Sequence, residues 1–209
     1  MLPGPPKILT CPFCGGHKEV MSLISGNTFQ LTLWSDARVD NPMLPRVSQI
    51  QKCPHCGKYY FLEDSKPEYA EDGYSGELGN LNFDELCEAK RQLNVPGLDK
   101  DPLVTLDMML VWAYNDLTRY VGQTPTQEQT DIYNSVVDEL LSPPLVNMID
   151  PLFHVELLRE AGGFDEAVEA LQSIPSGEHD WITDAMKSHI ADEDTKPFML
   201  ICHGNKLEL

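Results

Sequence analysis

The chain repeats one five-residue pattern, CPxCG, as Cys11-Pro12-Phe13-Cys14-Gly15 and again as Cys53-Pro54-His55-Cys56-Gly57, with 38 residues between Cys14 and Cys53. A CxxC turn places two sulfurs on one side of a tight bend, at the reach that Zn–S bonds of about 2.3 Å require. Proline at the second position narrows the backbone. Glycine after the second cysteine accepts a positive φ, which lets backbone N–H groups turn toward the sulfurs. Two such turns supply four thiolates and fill a tetrahedral shell. Cys11, Cys14, Cys53 and Cys56 therefore read as the ligands of one structural zinc ion, with no open position for catalysis.

Cys53-Pro-His-Cys56 also has the form of the dithiol of a thiol–disulfide oxidoreductase, the weaker alternative. That chemistry places the motif at the start of a long amphipathic helix. Here Lys58-Tyr59-Tyr60-Phe61-Leu62 follows, a strand composition, and a redox role for Cys53 and Cys56 leaves Cys11 and Cys14 unexplained. A zinc-deaminase signature is absent, as are a nucleophile motif, a glycine-rich phosphate loop and HExxH.

The first third reads as short strands at 19–24, 28–34, 46–51 and 58–62, rich in β-branched and aromatic residues and separated by turn formers such as Ser25-Gly26-Asn27. Residues 63–80 have no apolar period and many turn formers, which predicts a linker. From 81 the period becomes helical: 83–93 closed by Asn94, Pro96 and Gly97; 103–121 opened by Asp101-Pro102; and 127–141 behind a Thr126–Gln129 capping box. Then come 151–161 opened by Asp150-Pro151, 164–173 stopped by Pro175, and 179–191 with Trp181, Ile182, Ala185, Met186 and Ile190 on one side. The apolar tail 197–202 fits a strand or an extended packing segment. The expectation is α+β: a small antiparallel domain at 1–62, the linker, and an all-helical domain of about six helices at 81–209.

Residues 11–57 resemble a zinc ribbon, in which two CPxCG knuckles sit on hairpins of a small antiparallel sheet, here with an inserted loop near Asp36–Pro45. The resemblance implies a structural metal on the same four cysteines and no single function. The run 151–174 is similar to the centre of a tetratricopeptide repeat, with Gly162, Phe164, Ala167 and Leu171 in place and His154 and Val155 departing from the pattern. No 34-residue period repeats elsewhere, so the resemblance implies one helical hairpin and no array. The combination loosely resembles bacterial proteins that join paired CPxCG knuckles to a helical half.

Charge narrows the partners. Residues 1–62 carry six basic and three acidic side chains, a net of +3, and the remaining residues nine basic and thirty acidic, a net of −21. A nucleic-acid binder shows a concentrated basic face. A protein partner, itself basic if charge contributes, is therefore favoured. Nucleic acid held by the ribbon through Lys18, Arg38, Arg46, Lys52 and Lys58 is the alternative. No apolar run approaches a membrane span and no basic leader precedes an apolar core, which reads as a cytoplasmic protein. Nothing in the sequence specifies an oligomeric state. His17 and His55 read as solvent-facing turn residues, His154 as a boundary histidine, and Cys87 as a buried helix thiol. Cys202-His203 is too remote from Cys87 to form a second site with it. Met108, Met109 and Trp112 read as core, and Asp192-Glu193-Asp194 as a solvated helix end.

Overall fold

The computed structural model describes residues 1–71, 73, 76–94, 100–120, 122–177, 180–202 and 205–206. Nine strands come first: β1 (Leu2–Pro3), β2 (Lys7–Thr10), β3 (His17–Val20), β4 (Leu23–Ser25), β5 (Thr32–Trp34), β6 (Val39–Asp40), β7 (Ile50–Lys52), β8 (Tyr59–Phe61) and β9 (Glu68–Tyr69). Helices α1 (Phe83–Leu93), α2 (Lys100–Arg119), α3 (Gln127–Leu140), α4 (Pro151–Glu160), α5 (Phe164–Gln172) and α6 (Asp180–Ala191) follow. Strands β10 (Met199–Cys202) and β11 (Asn205–Lys206) come after α6. The class is α+β, with small antiparallel sheets before the helices. The described residues form two compact units: Met1–Phe29 with Asn41–Met109, and Gln30–Asp40 with Leu110–Leu209. The boundary between Met109 and Leu110 falls inside α2.

In the first unit β2 pairs with β3 on one side and β9 on the other, β7 pairs with β8, and β1 with β4. The stretch 19–24, read as one strand, is broken at Met21 and Ser22. Met21 N–H donates to Glu77 O at 3.0 Å, and Ser22 Oγ donates to Pro5 O at 2.6 Å. The backbone is thereby taken out of β3 before β4 begins. Residues 63–80, read as a linker, carry β9 against β2 and a bridge from Glu77 to Val20. Helix α1 begins at Asn82, whose side chain accepts from Glu85 N–H while Glu85 accepts from Asn82 N–H. It packs on β8, with Tyr59 N–H donating to Gln92 Oε1 at 3.4 Å. Leu9, Ile50, Tyr59, Tyr60, Leu86 and Ala89 are almost fully buried in this unit.

The second unit holds a four-stranded antiparallel sheet in the order β11-β10-β5-β6. The segment 28–34 becomes extended only at Thr32, because Gln30 takes a positive φ of 65°. Of the loop expected near Asp36–Pro45, residues 36–40 belong to the β5–β6 hairpin, turned at Ser35–Arg38, and 41–45 carry no strand. The tail 197–202 resolves as a strand, Met199–Cys202, on β5. Thr126 and Gln129 form the expected capping box on α3, and Asp150 Oδ1 accepts from Leu152 N–H at 2.8 Å to cap α4. Helix α2 starts one residue before Asp101, so Asp101-Pro102 lies within its first turn, where proline has no helical hydrogen bond to lose. Phe164 opens α5 after the Gly162 turn, and Ala167 and Leu171 join Val155, Met186 and Phe198 in one apolar core. The Pro96-Gly97 stop, the helix end at Val121, the helix start at His179 and the His203 reading lie outside the described residues.

A buried polar network runs through this unit. Asp36 accepts from Asn115 Nδ2 at 2.9 Å and from Arg119 Nη2, and its backbone oxygen accepts from Trp112 Nε1 at 2.7 Å. Asn115 Nδ2 also reaches Glu160 at 3.2 Å, and Tyr133 O–H donates to Glu160 Oε2 at 2.5 Å. Nearby, Arg159 makes two hydrogen bonds to Glu156, at 2.9 and 2.7 Å, with both side chains fully buried. Glu156 accepts from Ser35 Oγ, and Arg159 donates to the backbone oxygens of Asp194 and Lys196. Asp194 is thus more than a solvated helix end, since it also holds His189 Nδ1 at 3.0 Å.

Burial, and after it the charges of Glu156 and Asp36, keep the Glu160 carboxyl protonated well above the usual glutamate range. The unfolded chain releases that proton at the ordinary value while the folded chain retains it. Glu160 therefore contributes stability at low pH that is lost as pH rises toward the folded pKa, at up to about 1.4 kcal/mol per pH unit. Glu160→Gln is expected to flatten the alkaline side of the stability profile, measured as urea midpoints across about pH 5–9. An unchanged slope would assign it to another group.

Candidate metal centre

Each knuckle is the turn of a hairpin, the first joining β2 to β3 and the second β7 to β8. The two turns are built alike. Cys11 N–H donates to Gly16 O and Cys53 N–H to Lys58 O, both at 2.9 Å. Gly15 N–H donates to Cys11 O and Gly57 N–H to Cys53 O, both at 3.0 Å. These bonds close only with a left-handed residue at the end of the turn, and Gly15 and Gly57 sit at φ 70° and 71°. The repeated glycine in the sequence is the residue this geometry needs.

The four sulfurs lie within 4.8 Å of one another. Cys11 Sγ is 3.8 Å from Cys56 Sγ, and Cys14 Sγ is 3.6 Å from Cys53 Sγ. A tetrahedral ion with Zn–S bonds of about 2.3 Å separates its sulfurs by about 3.8 Å. A disulfide would need about 2.05 Å. The donor set and its spacing fit a four-thiolate metal. Gly16 N–H points to Cys14 Sγ at 3.4 Å, the kind of donor that stabilises a bound thiolate.

Cys11 and Cys53 are buried and pack against Tyr60, whereas Cys14 and Cys56 are exposed. Without a cation Cys14 and Cys53 do not ionise together. For Cys53, burial works against ionisation, but the backbone N–H groups of Cys56 and His55 and the neighbouring thiols outweigh it and bring the thiol down to about 6. For Cys14, the Gly16 N–H favours the thiolate, yet Cys56, burial and the other sulfurs push it up to about 12. Proton sharing of that kind is what a divalent ion would replace.

The Cys53–Cys56 turn is followed by β8 and starts no helix, so the dithiol alternative lacks the helix terminus that would activate it. His17 and His55 are exposed and stand outside the sulfur group. His55 Nε2 instead bonds His17 O at 3.0 Å, tying one knuckle to the other. His154 is half-buried, with its pKa lowered by burial, and Cys87 is half-buried where a buried thiol was expected.

Four of the five cations considered for nucleic acid are engaged by neighbouring side chains. Lys18 bonds Gln51 Oε1 at 2.9 Å, Lys52 pairs with Glu85 at 3.1 Å, and Lys58 lies over the Phe13 ring at 4.8 Å. Arg38 belongs to the other compact unit and pairs with Asp40 and Asp116. Among the described residues no helix is long and apolar enough to cross a membrane. No family model, curated protein or solved structure matches this chain.

Proposed function

We propose that this is a non-enzymatic protein built on one structural zinc ion, with the helical part serving as a protein-interaction surface. The observation that carries the metal reading is the convergence of four sulfurs at tetrahedral spacing from two matched knuckles. Cys11, Cys14, Cys53 and Cys56 would be the ligands, and four thiolates leave no position for water or substrate. The matched hairpins also support the zinc-ribbon resemblance, and the α4–α5 hairpin with buried Ala167 supports a single tetratricopeptide-like unit. Closely spaced thiols kept for a metal suit a reducing compartment, and the cytoplasm is the proposed location.

For the helical part, the strongly acidic charge favours a basic protein over a polyanion. The engagement of Lys18, Lys52, Lys58 and Arg38 with neighbouring side chains weighs in the same direction.

Elemental analysis of protein purified without added metal is expected to give about one zinc per chain. Metal-free protein with a reversible Cys53–Cys56 disulfide and oxidase activity would overturn the reading. Capture from lysate by zinc-loaded protein is expected to retain proteins after nuclease treatment. Loss of all captured material with nuclease would replace the protein partner with a nucleic acid.

A further inference from the structure

Helices α5 and α6 leave an open groove of about 530 Å³ along their outer junction. Leu171 and Ile190 form its floor, and Val168, 41% exposed, forms one apolar wall. The other wall is the polar face of α6, where Asp180, Asp184 and Lys187 project at helical spacing. Lys187 pairs with Asp184 at 2.8 Å, and Asp180, whose Oδ1 accepts from Gly177 N–H at 2.8 Å, is the excess negative charge of this wall. The surrounding sequence is one-sided: residues 164–194 carry nine acidic side chains against that single lysine. An apolar trough beside a wall of excess negative charge is an incomplete surface. Of the basic side chains at 1–62, Lys18, Arg38, Lys52 and Lys58 are engaged by other neighbours.

We propose that this groove receives a basic amphipathic helical segment of a partner protein. Its apolar side chains would lie on Leu171, Ile190 and Val168, and its lysines or arginines would face Asp180 and Asp184. The proposal deepens the protein-interaction reading and rests on it. Helix α6 has twelve residues, about 18 Å, which matches roughly three turns of such a segment. An apolar stripe at i, i+4 and i+7 is the recognition pattern of a helix lying in a groove. The cationic flank would set orientation and speed encounter, and its contribution would weaken with salt.

The test uses the full zinc-loaded chain and three labelled 14-residue helical peptides, read by fluorescence anisotropy. One carries leucines at i, i+4 and i+7 with lysines elsewhere. The second keeps the leucines with glutamates elsewhere, and the third keeps the lysines with serines replacing the leucines. Only the first is expected to bind, with affinity falling as salt rises. Val168→Trp, which fills the groove, and Asp184→Lys, which reverses the wall, should each weaken it by roughly tenfold with unchanged circular dichroism. Binding of the first peptide that ignores both variants would overturn the groove and leave the protein-interaction reading standing. Failure of the first peptide to bind, or equal binding of the second, would also overturn it. The interaction reading is judged separately, by nuclease-resistant capture.

Discussion

Cys53→Ser, or exhaustive treatment with a strong chelator, is expected to unfold the unit formed by Met1–Phe29 and Asn41–Met109 while most of the helical signal from α3 to α6 survives. The strands β2, β3, β7 and β8 are three or four residues long, and each knuckle is carried by one hairpin of that kind. Two-stranded hairpins are marginal on their own in water. Zinc binding in small zinc domains supplies about 10–16 kcal/mol of apparent folding free energy. That is comparable to the whole stability of a typical domain, roughly 5–15 kcal/mol. Cys53 is the stronger probe because it is buried, so serine there loses a ligand and leaves a hydroxyl in the Tyr60 core. Hydrogen exchange should show collapse of protection at β7, β8 and α1, with α4 to α6 retained. Simultaneous loss at α4 to α6 would mean that the metal governs one cooperative unit of the whole chain.

Arg159→Met is the second large expected effect, a loss of about 3–5 kcal/mol measured by urea unfolding. The substitution removes both hydrogen bonds to Glu156 and both donors to the backbone oxygens of Asp194 and Lys196. It leaves a fully buried carboxylate without its counter-ion. Glu156→Leu combined with Arg159→Met should recover part of that loss, because two apolar side chains strand no charge. The coupling energy from the double-mutant cycle is then large and favourable to the pair. Strict additivity of the two single changes would show that Glu156 and Arg159 act independently.

The helices and the sulfur cluster were legible from sequence because their signals are local. Asn94 after Leu93, the Thr126–Gln129 box, and Asp150-Pro151 each mark a terminus within a few residues. The four cysteines declare themselves by spacing. The β5–β6 hairpin and the network beneath it were not legible, for reasons of separation and disguise. Ser35 Oγ accepts from Phe198 N–H across 163 residues, a pairing no short window contains. Asn115, Glu156, Arg159 and Glu160 sit within helices among apolar residues, where a charged position ordinarily reads as the solvent face. Their burial depends on one another: Glu156 is tolerable inside because Arg159 is there, and Glu160 because it stays protonated. Such mutual dependence leaves no trace in composition or period.

Gln30–Asp40 lies between the two knuckles in sequence yet belongs to the unit completed by residues 110–209. The order of synthesis therefore matters. Both CPxCG motifs have left the ribosome before the third helix is made, so the cysteines could capture the proposed ion early. The hairpin at 32–40 must wait for its partner strand at 199–202, at the far end of the chain. Throughout elongation its edge is open to foreign strands. Nor can a single cut anywhere in the chain separate the two units cleanly. A cut between Met109 and Leu110 would leave residues 1–109 trailing an orphaned hairpin, and residues 110–209 without the strands their sheet needs.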